Sequence, residues 1–315
     1  MNIAIITLNP GVDRIVYLPT PLHPGTMNRS THTVMNQGSK GANQAMMLSS
    51  LGENPTYYAF SGGAMGHFCE SFTRDLGISS RFFPTECGVR LNIKVIDSEG
   101  GCTELNEKGG PVTEEELKKL LDALQYDIRG YDMVSLCGSI PQGVEKSVYN
   151  SIITFAREAG IPTVLDCDGE ALSLGLQAKP LLIKPNRREL AGLIGEDEEK
   201  LKDIDFLVKS CGKVVFHYDT DVICTLDEDG SVFVGKEGVW KIGVASVPLR
   251  GFSGAGDTYL SAYLHKRYGE KCSMEDSLRY AAAASCAKIA KEGTTLPTPA
   301  EIDALLDRIS VERIK

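Results

Sequence analysis

The stretch MVSLCGSIPQGVEKSVYNSIITFAREAGIPTVLD, residues 133–166, reads as a strand, a helix and a second strand. Met133–Cys137 and Thr163–Asp166 are short apolar runs ending in polar or turn residues, and Lys146–Ala159 between them is amphipathic. Strand, crossover helix and parallel strand form the unit from which α/β sheets are built. The same alternation runs outward in both directions. Ile3–Leu8, Leu181–Lys184, Val214–His217 and Val222–Leu226 read as further strands, and Gly41–Leu51, Thr113–Gln125, Glu198–Ser210, Ala255–Tyr268 and Met274–Lys291 as further helices. Thr113 followed by Glu114, Glu115 and Glu116 is a capping box with an acidic first turn. The fold class is therefore α/β, with a mainly parallel central sheet.

Two stretches, about 12–35 and 89–107, break the alternation. Val89-Arg90-Leu91-Asn92-Ile93-Lys94-Val95 alternates apolar and polar residues with period two, the mark of a sheet with one wet face. They read as a small β lid on the α/β core. With no repeats and no Pro/Ser-rich linker, residues 1–315 are expected to form a single domain.

The 315 residues carry 33 Lys and Arg against 42 Asp and Glu, a net charge of −9, with no long basic run. Phosphate-backbone binding needs the opposite balance, so nucleic acid is excluded as a partner. Nine scattered cysteines form no CxxC pair, which argues against a zinc site and for reduced thiols in a cytoplasmic protein. The apolar run Ile3–Leu8 is far short of the roughly 20 residues that span a bilayer, and it lacks the features of a signal peptide. No membrane partner is expected.

Three clusters carry chemistry. Gly254-Ala255-Gly256-Asp257 opens a helix, where small residues let backbone N–H groups approach a phosphate and the helix dipole favours its charge. A carboxylate beside such an anion site suits a base that takes the proton of an attacking hydroxyl, although the same residues also fit a plain helix-capping turn. Asn36-Gln37-Gly38-Ser39-Lys40-Gly41-Ala42-Asn43 opens another helix and suits a hydroxyl-rich or phosphorylated ligand, or a bland helix-start loop. In Lys184-Pro185-Asn186-Arg187-Arg188-Glu189, Asn186 and Glu189 fall on one helical turn, from which both could reach the water shell of Mg²⁺. A strand-to-helix turn with surface charges fits the spacing equally well.

Together and in this order, the clusters resemble those of the phosphofructokinase-B, or ribokinase-like, carbohydrate kinases. Thr7-Leu8-Asn9-Pro10-Gly11-Val12-Asp13 is similar to the family's opening, and Cys137-Gly138-Ser139-Ile140-Pro141-Gln142-Gly143-Val144 to the loop that closes its sugar pocket. Asn28-Arg29, Lys40 and Arg90-Leu91-Asn92-Ile93-Lys94 resemble the branch acting on sugars already phosphorylated, of the 1-phosphofructokinase and tagatose-6-phosphate kinase type. The resemblance implies a three-layer sandwich with a β lid, and ATP- and Mg²⁺-dependent phosphorylation of a ketohexose phosphate hydroxyl. It implies Asp257 as base, Gly254, Ala255 and Gly256 as the anion hole, and Asp13, Gly38, Asn43 and Ser139 on sugar hydroxyls. Arg90, Lys40 and Arg29 would bind the sugar's phosphate, Asn186 and Glu189 would organise Mg²⁺ through water, and Lys184 would lie near the nucleotide phosphates. It also implies a homodimer joined through the lids. A kinase for a free sugar or nucleoside, and a non-catalytic sugar-phosphate-binding regulator, are the alternatives.

The chain departs from the pattern in three places. His217-Tyr218-Asp219-Thr220-Asp221-Val222 aligns with the family's Ser-Leu-Gly-x-x-Gly strand, so Asp219 and Asp221 either lie near the nucleotide phosphates, where like charge weakens binding unless a cation intervenes, or point to solvent. Ser39 stands in place of a glycine, and Gly251-Phe252-Ser253 in place of a more polar approach to the anion hole.

Overall fold

The computed structural model describes residues 1–251 and 253–315, so the expectation attached to Phe252 lies outside the described residues. The central sheet has ten strands in the order β14-β13-β12-β11-β10-β9-β8-β1-β4-β5. These are β1 (Asn2–Thr7), β4 (Asn54–Ser61), β5 (Ser79–Pro84), β8 (Met133–Cys137), β9 (Thr163–Asp166), β10 (Leu182–Ile183), β11 (Asp221–Thr225), β12 (Ser231–Gly235), β13 (Gly238–Ile242) and β14 (Val311–Arg313). From β11 to β5 every neighbouring pair is parallel, and β12, β13 and β14 extend the sheet as an antiparallel edge.

Strand β1 shows why both faces are covered. Ala4 and Ile6 point into one buried cluster and Ile3 and Ile5 into the other, all fully buried. The first cluster contains buried residues of the helices Glu114–Asp127, Val148–Glu158, Gly169–Leu176, Arg187–Ile194 and Ile204–Tyr218. The second contains those of Lys40–Ser50, Ala255–Leu264 and Met274–Ile289. The result is the ribokinase-like three-layer sandwich. Thr113 forms the expected capping box, its hydroxyl accepting from Glu116 N while Glu116 accepts from Thr113 N.

A second, four-stranded sheet stands outside the sandwich in the order β3-β2-β6-β7, from β2 (Gly11–Tyr17), β3 (His32–Gln37), β6 (Arg90–Ile96) and β7 (Cys102–Asn106). This is the lid sheet, and β7 is exposed along its whole length. Among the described residues no helix is long and apolar enough to cross a membrane. No cysteine is disulfide-bonded.

One expected strand is helical. Val214–His217 forms the end of the helix Ile204–Tyr218, whose buried residues Leu207, Cys211 and Val214 recur at helical spacing while Phe216 is 87% exposed. A four-residue apolar run does not separate a strand from the tail of an amphipathic helix. The correction moves Asp219 and Asp221 as well. Asp219 ends that helix in a left-handed conformation and pairs with Lys236, and Asp221 begins β11 and accepts from Lys236 N. Neither lies at the strand end that bears the site.

Candidate active site

Parallel α/β sheets bind ligands beyond the carboxyl ends of their strands. Here those ends deliver Asn9 after β1, Ser139 after β8, Asp166 at the end of β9, Lys184 after β10 and Thr225 at the end of β11. Asp257 meets them from the first turn of the helix Ala255–Leu264. Gly254 caps this helix at φ 81°, a left-handed backbone that side chains rarely adopt. The first amides of a helix have no partner within it, so those of Ala255, Gly256 and Asp257 are free to face an anion.

Asp257 is 7% exposed, and Asn43 Nδ2 donates to its Oδ2 at 2.7 Å. Burial, then the neighbouring Asp166 carboxylate, push the Asp257 carboxyl up to about 6, against the pull of Lys40, Asn43 and Lys184. Asp166 itself is fully buried. Its Oδ1 lies 2.8 Å from Lys40 Nζ and 3.5 Å from Lys184 Nζ, and Gln44 Nε2 donates to Oδ2 at 3.2 Å. Burial alone would raise Asp166, but Lys184 and Lys40 outweigh it and hold the carboxyl below its ordinary value. For Lys40 the balance mirrors this: burial would lower it, yet Asp166, Glu189 and Asp257 hold its ammonium well above the usual range. Lys184 Nζ is also 3.2 Å from where a Cβ on Gly256 would stand, which brings this cation to the anion-binding turn.

The family resemblance grouped Lys40 with Arg90 and Arg29. The structure instead groups it with Asp166, Glu189 and Lys184, because Lys40 begins the helix Lys40–Ser50 on the side facing β9. Ser39 caps that helix, accepting from Ala42 N, so the residue in the glycine's place has a local structural use. Asn186 and Glu189 form a reciprocal capping box, with Glu189 N donating to Asn186 Oδ1 and Asn186 N to Glu189 Oε2. That leaves Glu189 Oε1, 3.3 Å from Lys40, as the oxygen of the pair aimed toward the lysines.

On the other side of Asp257, Asp13 extends from β2. Lys94 Nζ lies 2.9 Å from its Oδ2 and Asn92 Nδ2 donates to its Oδ1 at 3.0 Å. Gly38 is needed here, since a Cβ on it would stand 2.1 Å from the Asp13 carboxyl. Lys94 Nζ also donates to Ser253 Oγ at 2.9 Å, joining the lid sheet to the segment that enters the anion-binding turn. Asn9 Nδ2 donates to Ser139 Oγ. Arg90 starts β6 with its Nε buried and unpartnered, and its Nη1 donates to the Glu107 carbonyl. Arg29 is exposed on the connection between β2 and β3 and has no polar partner among the described residues.

Behind Ala255, Gly256 and Tyr259 opens a cleft of about 610 Å³, mainly apolar, bounded by Thr225, Asp227 and Glu228, by residues 243–247, and by Ser285, Cys286 and Ile289. Its volume falls within the roughly 300–1,000 Å³ of small-molecule sites. The turn after β11 is Thr225-Leu226-Asp227-Glu228-Asp229-Gly230, closed by Leu226 N donating to the Gly230 carbonyl. This turn fits the Ser-Leu-Gly-x-x-Gly pattern better than His217–Val222 does: Leu226 and Gly230 agree with it, Thr225 stands for the serine, and Asp227, at φ 53°, stands for the first glycine.

The sequence profile of the pfkB carbohydrate kinases matches residues 3–301. The chain belongs to this family. Among its pfkB relatives, 1-phosphofructokinase of Escherichia coli strain K12 is 28% identical over 312 residues, covering 99% of this chain and 98% of the relative. That of Bacillus subtilis strain 168 is 28% identical over 309 residues, covering 98% and 99%. The crystal structure of phosphofructokinase-2 from Escherichia coli, in complex with substrates and products, superposes with a TM-score of 0.89 at 25% identity, over 98% of this chain and 99% of that one.

Asp166 and Gln44 line the candidate site from outside the motifs that marked it, and Asn92 and Lys94 line it from the stretch Arg90–Lys94, of which only Arg90 was given a role. The available signal for Asp166 was a carboxylate closing the apolar run Thr163–Asp166 at the carboxyl end of a parallel strand. For residues 243–247 the sequence carried no signal, because that wall is shape and apolar surface.

Proposed function

We propose that this pfkB kinase transfers the γ-phosphoryl group of ATP to a hydroxyl of a ketohexose phosphate, as a 1-phosphofructokinase-type enzyme. The observation that carries the reading is Asp257: a buried carboxylate in the first turn of a helix with free amides, with Asn43 on one oxygen and lysines 40 and 184 nearby. As the acceptor oxygen bonds to the γ-phosphorus, its proton passes to the Asp257 carboxylate. The bond from that phosphorus to the β-phosphate oxygen breaks, and ADP leaves. The amides of Ala255, Gly256 and Asp257, with Lys184 and Lys40, stabilise the charge on the transferring group. Asp13, Asn43 and Ser139 take the sugar's hydroxyls, and Gly38 makes the room Asp13 needs.

Magnesium suits this site when it arrives on the nucleotide. Among the described residues no three ligating side chains converge on one point, but Mg²⁺ bound to phosphates needs only one or two carboxylates and its own waters. Glu189, held in place by Asn186, supplies one beside Lys40, and Asp166 lies next to it. The ion would neutralise phosphate charge there. The apolar cleft behind Gly256 would take the base and ribose of the nucleotide.

Arg90 supports a phosphorylated substrate over a free sugar, because a buried guanidinium nitrogen without a partner is costly and is satisfied by an anion. The test is ADP release by wild type and Arg90→Ala with fructose 1-phosphate and with fructose. Losing a charge-assisted contact costs about 1.5–3 kcal/mol, so KM for the phosphorylated sugar should rise by roughly 10- to 100-fold with little change for fructose. Equal losses for both sugars would give Arg90 a purely structural role. With Asp219 and Asp221 engaged by Lys236 at the opposite end of β11, the departure that motivates a regulator without turnover narrows to Asp227 and Glu228 beside the cleft, and the buried Asp257 base favours turnover. The exposed Val34, Met35 and Leu105 of the lid sheet support a homodimer formed lid to lid.

A further inference from the structure

Lys288 is a buried cation for which the reaction above has no assigned use. It lies in the last turn of the helix Met274–Ile289 and is 2% exposed. Its Nζ donates to the Gly293 carbonyl at 2.6 Å, its only hydrogen bond among the described residues, and its Cε is 3.5 Å from where a Gly254 Cβ would stand. Packing does not require an ammonium here, since a methionine fills similar space without the desolvation cost. The end of the same helix holds the segment that enters the anion-binding turn: Arg250 N and Gly251 N both donate to the Ile289 carbonyl at 2.8 Å.

We propose that Lys288 is a positioning residue for phosphoryl transfer, a fixed cation that clamps residues 288–293 against Gly254 and balances the charge of Asp257 at the anion-binding turn. The proposal rests on the reading of Asp257 as base. The charged groups facing Lys288 are Asp257 from the helix Ala255–Leu264 and Lys94 from β6, which brings its partner Asp13 of β2. Burial, reinforced by Lys94, lowers Lys288 to about 8 although Asp257 pulls the other way. The ammonium is therefore lost within a measurable range, and with it the clamp and the charge.

The experiment is kcat/KM for MgATP, which reports the free enzyme, with kcat beside it, against pH from about 5 to 10 at saturating fructose 1-phosphate, for wild type, Lys288→Met, Lys94→Met and Asp257→Asn, with thermal melting as the folding control. Wild type should show an alkaline decline near pH 8. Lys288→Met should fold, keep its ATP KM within about threefold, lose about tenfold or more in kcat at pH 7, and show no alkaline decline. Lys94→Met leaves Lys288 in place but removes a repelling charge and frees Asp13, so its alkaline decline should move to higher pH. That variant decides the matter even if Lys288→Met fails to fold. Wild-type kcat in Lys288→Met, a low kcat with the alkaline decline unmoved, or an unmoved decline in Lys94→Met would overturn the proposal. Failure of the Asp257 reading would look different: Asp257→Asn would keep turnover and the acid-side rise near pH 6 would remain.

Discussion

Burial that lifts Asp257 to about 6 has two consequences of opposite sign. At pH 7 the carboxylate is still mostly ionised, and it is a stronger base than an ordinary aspartate. Its ionisation in the folded state is, however, costly. A carboxyl whose folded value lies above its unfolded one contributes most to stability while protonated, and that contribution is lost as pH rises from about 4 to about 6. Asp257→Asn should therefore lower kcat by about 10²- to 10⁴-fold. The same variant should be more stable than wild type at pH 8, on the order of 1–3 kcal/mol, because it removes a buried charge that the neighbouring cations only partly offset. Steady-state kinetics and urea unfolding of one preparation measure both. Unchanged turnover would remove Asp257 from the base role, and an unchanged or lower stability would mean that Lys40 and Lys184 fully compensate its charge.

The turn Thr225–Gly230 shows how element boundaries decide chemistry. Aligned one element too early, the late glycine pattern fell on Asp219 and Asp221, and the local cause was the apolar tail Val214–His217 read as a strand. Many other elements were legible, but β4, β5, β14 and the helices Gly63–Asp75, Gly169–Leu176 and Arg187–Ile194 were not among those expected. Met133–Cys137 and Thr163–Asp166 match their strands residue for residue, and the helix before the second of them differs only at its ends. Less legible were β12 and β13, whose place at the antiparallel edge depends on pairing between strands. In the site, the glycine clusters marked both helix starts because small residues are visible in sequence. The partners of Asp13 and Asp166 come from strands and helices distant along the chain, and no local pattern records them. The corrected turn makes a sharp contrast. Asp227→Gly keeps the left-handed backbone and removes an exposed charge beside the cleft, so KM for ATP should fall about two- to fivefold at low salt and less at high salt. Replacing Asp219 and Asp221 together by Asn should leave it unchanged. The opposite pattern in titrations at two ionic strengths would restore the earlier alignment.

The sandwich holds the cleft and the carboxylate proposed as nucleotide site and base, while the lid sheet brings up Asp13, Asn92, Lys94 and Arg90 from β2 and β6. The Lys94–Ser253 bond ties the two parts together beside the reacting centre. The lid's outer strands are exposed in the single chain, and Leu105 of β7 is 59% exposed. A second lid would cover them. Leu105→Asp should shift the protein from dimer to monomer in sedimentation velocity at micromolar concentration, and a wild-type protein that sediments as a monomer would exclude the lid-to-lid assembly. The central claim is phosphoryl transfer to a sugar that already carries a phosphate. Its most direct test is kcat/KM, measured by ADP release, across fructose 1-phosphate, fructose 6-phosphate, tagatose 6-phosphate and free fructose. The Arg90 site calls for at least one phosphorylated ketohexose to exceed free fructose by about tenfold or more, and equal or higher kcat/KM for free fructose would contradict it.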